Sequence, residues 1–287
     1  FEVFSTPSAK SGCGTKNPFD VSDKDATMSG IAFNNDGSKL FLVGLGNDDV
    51  YEYKLCKNYS LGSASFTTSF SMNPKVSSPQ SIAFNSDGTK MFILDQGEDD
   101  ITEYALSTAF DVSSATYTTD GCDHATDGVK GTGTAPTAMD FNSDGTILRI
   151  LSKTSDAVSE FTLSTGFDMS STCSTYDEDD NFSVADQDTK PEGMAFNFDG
   201  TKMFIAGNKN ASIYEYTLET AYDVSTADHV DTLSIQAQDG NPRSLTFSSD
   251  GKKMFLVGTG QLNVEVNEYE LTTGWDISTA EYKGRLT

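Results

Sequence analysis

The sequence predicts an all-β fold: a β-propeller of five clear blades, with four strands in about 50 residues per blade, plus a partial N-terminal blade or latch. The segment FNSDGTKMF at 84–92 has four further copies, which begin at residues 33, 141, 196 and 247. Their Asp-Gly pairs are 51 to 57 residues apart. A repeat of this length that contains four short strands is typical of propeller blades.

The first two strands of each unit surround the Asp-Gly pair. In the second unit they are SIAF at 81–84 and KMFIL at 90–94. Asp-Gly between two apolar runs predicts a tight hairpin, because glycine accepts the positive φ that such turns require. The runs are short and rich in β-branched and aromatic residues, and they lack helical periodicity.

The third strand follows a polar turn, as in GEDD at 97–100 before ITEYAL at 101–106. It carries a glutamate in every unit: Glu52, Glu103, Glu160, Glu215 and Glu268. Four units also have a lysine two residues after the Asp-Gly glycine: Lys39, Lys90, Lys202 and Lys253. The third unit has Ile147 there and Arg149 two residues later. We interpret the glutamates as scaffold residues that form ion pairs across the hairpin.

A connector precedes the last strand, AFDVSSATY at 109–117 in the second unit, with copies beginning at residues 166, 221 and 274. We expect its aromatic residue to fill the outer edge of the blade, while the Asp and Ser side chains cap a turn. NPFDVSDKDA at 17–26 is another copy. We therefore predict one domain over 1–287, with a partial blade or latch at 1–28 and repeats at about 29–77, 78–133, 134–188, 189–240 and 241–287.

The unit FNSDGTKMFILDQGEDDITEYAL resembles the Asp-Gly-centred propeller repeats of the YVTN and TolB-like type. The resemblance covers nearly the whole chain, although this chain has Asn-x-Asp-Gly where those repeats usually have Ser-Pro-Asp-Gly. The units are also similar to repeats in surface and virion-associated propellers of marine microbes and their phages. The resemblance implies the fold and transfers no catalytic residue.

The charge balance limits the class of partner. The chain has 43 acidic and 19 basic residues, which gives a formal net charge of −24. Such a surface repels phosphate groups, so we expect no nucleic-acid partner. We also expect no membrane insertion, because no apolar run approaches the roughly 20 residues of a bilayer span.

The cysteines predict disulfides. The chain has four cysteines and no Cys-x-x-Cys pair: Cys13, Cys56, Cys122 and Cys173. Their even number fits two bridges in an oxidising compartment. Four buried free thiols are the alternative. We favour the pairs 13–56 and 122–173, because each would join segments that lie next to each other in the ring. Candidate glycosylation sites are Asn58, Asn181 and Asn210, each in an Asn-x-Ser sequence.

Catalytic motifs are scarce. The two histidines, His124 and His229, belong to non-adjacent units, and no nucleophile elbow accompanies them. The inner strands are nearly uniform and apolar, and Asp140 in AMDF is their charged exception. We interpret Asp140 as a satisfied polar residue of a variant blade. A functional carboxylate that lines the channel is the alternative.

Calcium is the candidate ion. The best candidate ligands are the acidic run Asp177, Glu178, Asp179 and Asp180, which lies in a predicted insertion. Carboxylate oxygens are hard ligands that suit calcium, but the run lacks the pattern of an EF-hand loop. Solvated acidic turns are the alternative.

Taken together, these observations favour a non-enzymatic extracellular or surface-displayed propeller for assembly into a filament, surface layer or virion, or for binding. A lectin-like carbohydrate-binding propeller is the alternative, and a lactonase or glycosidase with a cleft near Asp140 is less favoured. The expected partners are further copies of the chain, another surface protein or a glycan. No cofactor other than calcium is expected.

Overall fold

Five antiparallel sheets form the ring of this computed structural model, which describes residues 19–121, 135–169, 175–260 and 264–284. Inner strands of neighbouring blades contact one another in cyclic order, and the last inner strand contacts the first. The predicted five-bladed propeller with four-stranded blades is therefore confirmed.

The strands follow the same order in every blade, from the channel outwards. The first blade contains β2 (Met28–Phe33), β3 (Lys39–Gly44), β4 (Asp49–Leu55) and β5 (Ala64–Ser71). The second contains β6 (Pro79–Phe84), β7 (Lys90–Asp95), β8 (Asp100–Leu106) and β9 (Ala115–Gly121). The third contains β10 (Pro136–Phe141), β11 (Ile147–Ser152), β12 (Ala157–Thr162) and β13 (Thr175–Ser183). The fourth contains β14 (Pro191–Phe196), β15 (Lys202–Gly207), β16 (Ser212–Leu218) and β17 (Ala227–Ser234).

The fifth blade contains β18 (Pro242–Phe247), β19 (Lys253–Gly258), β20 (Glu265–Leu271) and β21 (Ala280–Tyr282). Strand β1 (Phe19–Asp20) also joins this blade. The helical elements of the described segments are 3₁₀ turns, at Leu61–Ser63, Val112–Ser114, Val224–Thr226 and Ile277–Thr279. No described helix is long and apolar enough to cross a lipid bilayer.

The N-terminal segment closes the ring as a latch. Strand β1 pairs antiparallel with β20, and the Val21 amide continues this pairing by donating to the Val264 carbonyl over 3.0 Å. The Val21 side chain is fully buried. Because β21 pairs with the other part of β20, segments from both ends of the ring sequence cover one edge. The segment is thus a latch rather than part of a sixth blade.

The Asp-Gly hairpins form because their polar side chains satisfy the turn. In the second blade the Asp87 carboxylate accepts the Thr89 amide at 2.9 Å, and the Asn85 side chain accepts the Lys90 amide at 2.9 Å. Gly88 has a φ of +73°, and a Cβ there would lie 2.2 Å from the Phe110 ring. Glycine is therefore required for both its backbone conformation and its lack of a side chain.

The predicted ion pairs across the hairpins are present. They are Lys39–Glu52, Lys90–Glu103, Arg149–Glu160, Lys202–Glu215 and Lys253–Glu268. Each cation also donates to the carbonyl of the connector aromatic in the next blade around the ring, namely Phe110, Phe167, Tyr222, Trp275 and Tyr59. Every pair therefore joins two neighbouring blades.

The connectors cap their turns as predicted, since Asp111, Asp223 and Asp276 each accept a serine amide. The aromatic residue, however, does not fill the outer edge. Phe110 has a φ of +54° and packs 5.4 Å from the Phe84 ring, at the inner end of the blade. The positive φ turns the chain inwards, and the open face of the Asp-Gly glycine accepts the ring.

The hydrophobic cores lie between blades. One of them packs Phe41 and Val43 of the first blade against Ile82 and Met91 of the second. Another packs Phe255 of the fifth blade against the first, and so completes the ring. Each blade therefore contributes to two cores, which fixes the inner strands around the channel.

Candidate functional site

A cavity of about 530 Å³ opens at the channel end where the inner strands end and the Asp-Gly turns begin. We call it the turn-face pocket. Its wall is about equally polar and apolar, and the apolar side chains include Ile31, Ile82, Met139, Met194 and Leu245. The volume is in the range of small-molecule sites.

One carboxylate interrupts the pocket wall. Five equivalent positions surround the channel, one from each blade: Ala32, Ala83, Asp140, Ala195 and Thr246. Of the side chains known to line the pocket, Asp140 is the one that is charged. Its side chain is 30% exposed, and the exposed part faces the pocket.

Arg149 lies behind Asp140. The two residues are directly opposite in the β10–β11 ladder, and Asp140 Oδ2 is 3.9 Å from Arg149 Nη1. Arg149 is fully buried. The contact is thus an ion pair on the protein side of the carboxylate, and it leaves the pocket side of Asp140 open to a ligand.

Other contacts hold Arg149 in place. Its Nε donates to Glu160 Oε2 at 3.0 Å, and its Nη2 donates to the Tyr222 carbonyl at 2.8 Å. Its guanidinium carbon lies 4.6 Å from the centre of the Phe196 ring. These contacts fix the guanidinium below the pocket surface. Arg149 therefore tunes Asp140 electrostatically and does not reach a ligand.

Burial raises the pKa of Asp140 to about 6, although the Arg149 charge lowers it. A buried carboxylate loses favourable hydration, and the neutral form then competes better. A group with a pKa near 6 is mostly ionised at pH 7 and still accepts a proton more readily than an ordinary aspartate. This is the property required of a general base at neutral pH.

Hydroxyl groups supply hydrogen-bond donors on the same wall. Ser81, Ser244 and Thr246 line the pocket. The Ser81 oxygen accepts the Met139 amide at 3.4 Å, beside Asp140 in the chain, so its own proton can be donated to a ligand. The pocket thus combines a base with hydroxyl donors.

The rim carries one exposed aromatic side chain. Phe198 lines the pocket and is 81% exposed. The other units have small polar residues at its position, namely Asn35, Ser86, Ser143 and Ser249. The Tyr222 hydroxyl donates to the Phe198 carbonyl at 2.5 Å and fixes the backbone at the rim.

A second charged group lies near the opposite end of the channel. Glu192 is buried and accepts Arg243 Nη1 at 3.3 Å, with Lys153 Nζ at 4.0 Å. Burial raises the pKa of Glu192, while Arg243 and Lys153 lower it. Our sequence analysis missed this group, although the second position of the inner strand differs in every unit. Two cations contact one carboxylate, so this cluster carries a net positive charge, unlike the Asp140 wall at the other end.

The histidines do not form a site in the described structure. His124 lies outside the described residues. His229 is on the outer strand β17, where its Nε2 is 2.9 Å from the Thr232 hydroxyl, and it does not line the turn-face pocket.

The calcium prediction is not tested. The backbone of Asp177, Glu178, Asp179 and Asp180 belongs to β13, where these residues form a bulge opposite Glu160. Their side chains lie outside the described residues. Within the described part of the chain, no cluster of three or more His, Cys, Asp or Glu side chains could hold a metal ion. Calcium binding therefore stays a prediction.

The disulfides and glycans also stay predictions. Cys13, Cys122 and Cys173 lie outside the described residues, and Cys56 is at an exposed position just after β4. Asn58 is exposed and Asn181 is partly buried. Asn210 is exposed, but its amide nitrogen donates to the Gln187 carbonyl at 2.9 Å, a bond that competes with glycan attachment.

Comparison with known proteins identifies the fold. No family model and no curated protein match the chain, so the resemblance to YVTN and TolB-like repeats stays a prediction. A solved structure from Bacteroides fragilis, provisionally assigned as a 6-phosphogluconolactonase, matches 90% of this chain and 71% of its own with 16% identity and a TM-score of 0.51. A periplasmic gluconolactonase from Pseudomonas aeruginosa matches 90% of this chain and 69% of its own with 15% identity and a TM-score of 0.46. At 16% identity the Bacteroides fragilis match shows a shared propeller fold.

These comparisons correct the functional prediction. We expected a non-enzymatic propeller for assembly or binding, but the Bacteroides fragilis propeller of similar structure is provisionally assigned as a lactonase. The prediction assumed that the inner strands are too similar to one another, and too apolar, to supply catalytic residues. That reasoning fails at Asp140. The fold places this residue in the wall of a pocket, and its burial there raises its pKa.

Proposed function

We propose that this protein is a hydrolase of small cyclic esters, that is, a lactonase-type enzyme, with Asp140 as its general base. The observation that carries the proposal is one carboxylate of pKa about 6 in the wall of a pocket of about 530 Å³ whose other described lining side chains are uncharged. The fold shared with a provisionally assigned 6-phosphogluconolactonase supports the reaction class.

The reaction would begin with a water molecule between Asp140 and the ester carbonyl. The Asp140 carboxylate takes a proton from this water as its oxygen attacks the carbonyl carbon, and the oxyanion of the resulting tetrahedral intermediate accepts a hydrogen bond. Ser81, whose hydroxyl oxygen accepts the amide of Met139, is a candidate donor on this wall. The ring C–O bond then breaks, and the proton on Asp140 passes to the alkoxide that leaves.

The product would leave because of its charge. One lactone and one water give one hydroxy acid, which ionises at neutral pH. Its new carboxylate then lies in a pocket with the regenerated Asp140 carboxylate, in a chain of net charge −24. Like charges in a confined pocket repel each other, so the neutral substrate binds better than the anionic product.

We propose a location outside the cytoplasm for this enzyme. The support is the acidic composition and the four cysteines, which lack a Cys-x-x-Cys pair. Mass measurement of the purified protein with and without reduction, after alkylation, would count the disulfides. Four free thiols would contradict this part of the proposal.

The activity test is hydrolysis of a panel of γ- and δ-lactones, followed by acid release at constant pH. We expect kcat/KM to rise with pH through about 6 and then level, because Asp140 must be ionised to act. Asp140→Asn should lower kcat by about 10²–10⁴-fold. Asp228→Asn removes the same charge from an exposed position on β17 and should retain full activity.

Two results would overturn the proposal. One is that no lactone in the panel is hydrolysed faster than in buffer by folded protein. The other is that Asp140→Asn retains the wild-type rate and pH profile.

A further inference from the structure

We infer that the turn-face pocket selects uncharged lactones with an apolar ring or side chain, and that Phe198 is the residue that selects them. The inference rests on the proposed function and names its substrate class. It follows from the charges of the pocket and from the exposure of one aromatic ring.

The pocket offers no positive charge to an anionic substrate. None of the side chains that line it within the described structure belongs to lysine or arginine. Arg149, the cation behind the wall, is fully buried and already contacts Asp140, Glu160 and the Tyr222 carbonyl. A phosphorylated or carboxylated lactone would therefore face the Asp140 carboxylate without a counter-charge, which opposes its binding.

Phe198 is exposed in a way that other surface aromatics are not. The described residues include two further exposed aromatics, Phe66 at 45% and Tyr117 at 37%. Lys24 Nζ lies 4.4 Å from the centre of the Phe66 ring, and Lys75 Nζ lies 4.0 Å from that of Tyr117. Phe198 is 81% exposed and has no such cation over its ring among the described residues.

An aromatic ring beside a pocket gains stability when an apolar ligand covers it. Water on both sides of the ring is unfavourable, and each ligand methylene group that displaces it improves binding about fourfold. The Phe198 backbone is held by the Tyr222 hydroxyl, so the ring starts from a fixed place on the rim. The side chain therefore acts as a platform for the part of a lactone that extends out of the pocket.

The test uses neutral γ-lactones with increasingly long alkyl chains, together with a phosphorylated lactone and its neutral counterpart. For the wild type we expect kcat/KM to rise about two- to fourfold per methylene group over the first few groups, mainly through KM. Phe198→Ser, which installs the residue found in three other units, should flatten this dependence and raise KM for the longest lactone about tenfold. Phe66→Ala is the matched control and should keep the wild-type dependence.

A preference for the phosphorylated lactone, or an unchanged chain-length dependence in Phe198→Ser, would overturn the inference while leaving the proposed hydrolysis intact. Calorimetric binding of the corresponding lactams, which resist hydrolysis, separates the two proposals. If no lactone is hydrolysed but neutral lactams bind in a Phe198-dependent manner, the ligand class stands and the reaction is wrong. If the lactams do not bind either, both are wrong.

Discussion

The third blade differs from the others by a coordinated change at single residues. The fifth residue of each inner strand lies opposite a residue of the second strand. This pair is Ala–Phe in the first, second and fourth blades and Thr–Phe in the fifth. In the third blade they hold Asp140 and Arg149. The cation of the scaffold ion pair has also moved from position 147 to position 149, so Arg149 serves the scaffold and neutralises part of the Asp140 charge.

A charged Asp140 should lower the stability of the fold, and replacing it should show this. The pKa of Asp140 is raised from 3.8 to about 6, so the contribution of Asp140 to stability is most favourable below pH 3.8 and is lost as pH rises through 6. We expect Asp140→Asn to raise the free energy of unfolding at pH 8 by about 1–2 kcal/mol, a value reduced for partial exposure.

The measurement is urea unfolding at pH 4 and pH 8, with Asp228→Asn as the control. The gain from Asp140→Asn should be small at pH 4, because Asp140 is then largely protonated. An equal gain at both pH values would mean that charge burial is not its cause.

The sequence showed that Asp140 is a charged exception among the apolar inner strands, but not that its pKa is raised. A single charged residue in an apolar strand could be read from the chain. Its raised pKa depends on burial by four other blades, and its partner Arg149 is known only once the register pairs them. Phe198 was missed although the other units have small polar residues at its position, because its role depends on an exposure that only the fold shows.

At the level of elements, the hairpin ion pairs connect each blade to the next. In the fourth blade Lys202 Nζ lies 2.5 Å from Glu215 Oε1 and donates to the Trp275 carbonyl at 2.6 Å. Glu215 Oε2 accepts the Ile277 amide at 2.9 Å. Both charges of the pair thus bind the connector of the fifth blade, so the repeated Lys and Glu form a contact between blades as well as within one.

Glu215→Ala should therefore destabilise the ring. The Glu215 side chain is 5% exposed, and its loss leaves Lys202 and the Ile277 amide without their partner. We expect the free energy of unfolding to fall by about 2–3 kcal/mol, less than for a fully buried pair because Lys202 is partly exposed. Fluorescence of Trp275, the single tryptophan, follows urea unfolding at the contact itself.

Glu281→Ala provides the control, because Glu281 pairs with Lys283 at an exposed position. Its effect should stay within about 0.5 kcal/mol. Equal effects of the two substitutions would contradict the role of Glu215 in joining blades.

Elements were predicted best where short-range chemistry decides them. Asp-Gly pairs predicted the hairpins, and the Lys and Glu spacing predicted the ion pairs. The connector aromatic was placed at the wrong end of the blade, because its direction depends on a positive φ and on the open face of Gly88, which lies in an earlier hairpin.

The whole molecule is a closed ring whose closure depends on a short segment. Val21 is fully buried in the core between the fifth and first blades, next to β20. We expect Val21→Ala to lower the free energy of unfolding by about 1–3 kcal/mol, because it leaves a cavity at the closure. Urea unfolding measures the loss.

Val230→Ala is the matched control on β17, since Val230 is 48% exposed. Its effect should be within about 0.5 kcal/mol. If Val21→Ala is as mild as the control, the latch does not contribute to closure as described.

Repeat counting was enough to predict the five blades, because each unit forms mainly local pairs. It gave the wrong function, because repetition describes the scaffold and the candidate site consists of departures from it. Asp140, Arg149 and Phe198 are three such departures, and the ring brings them to one end of the channel.

The latch also has a consequence for folding during synthesis. Val21 and Val264 bond to each other but are 243 positions apart in the chain. At ribosomal rates of about 5–20 residues per second, Val264 is synthesised about 12 to 50 s after Val21. During that time the face of the first blade that contains Ile31 and Leu40 has no fifth blade to cover it. The nascent propeller is therefore most vulnerable to aggregation and to proteases just before its last hairpin forms, and chaperones that bind apolar surfaces would act on it in that interval.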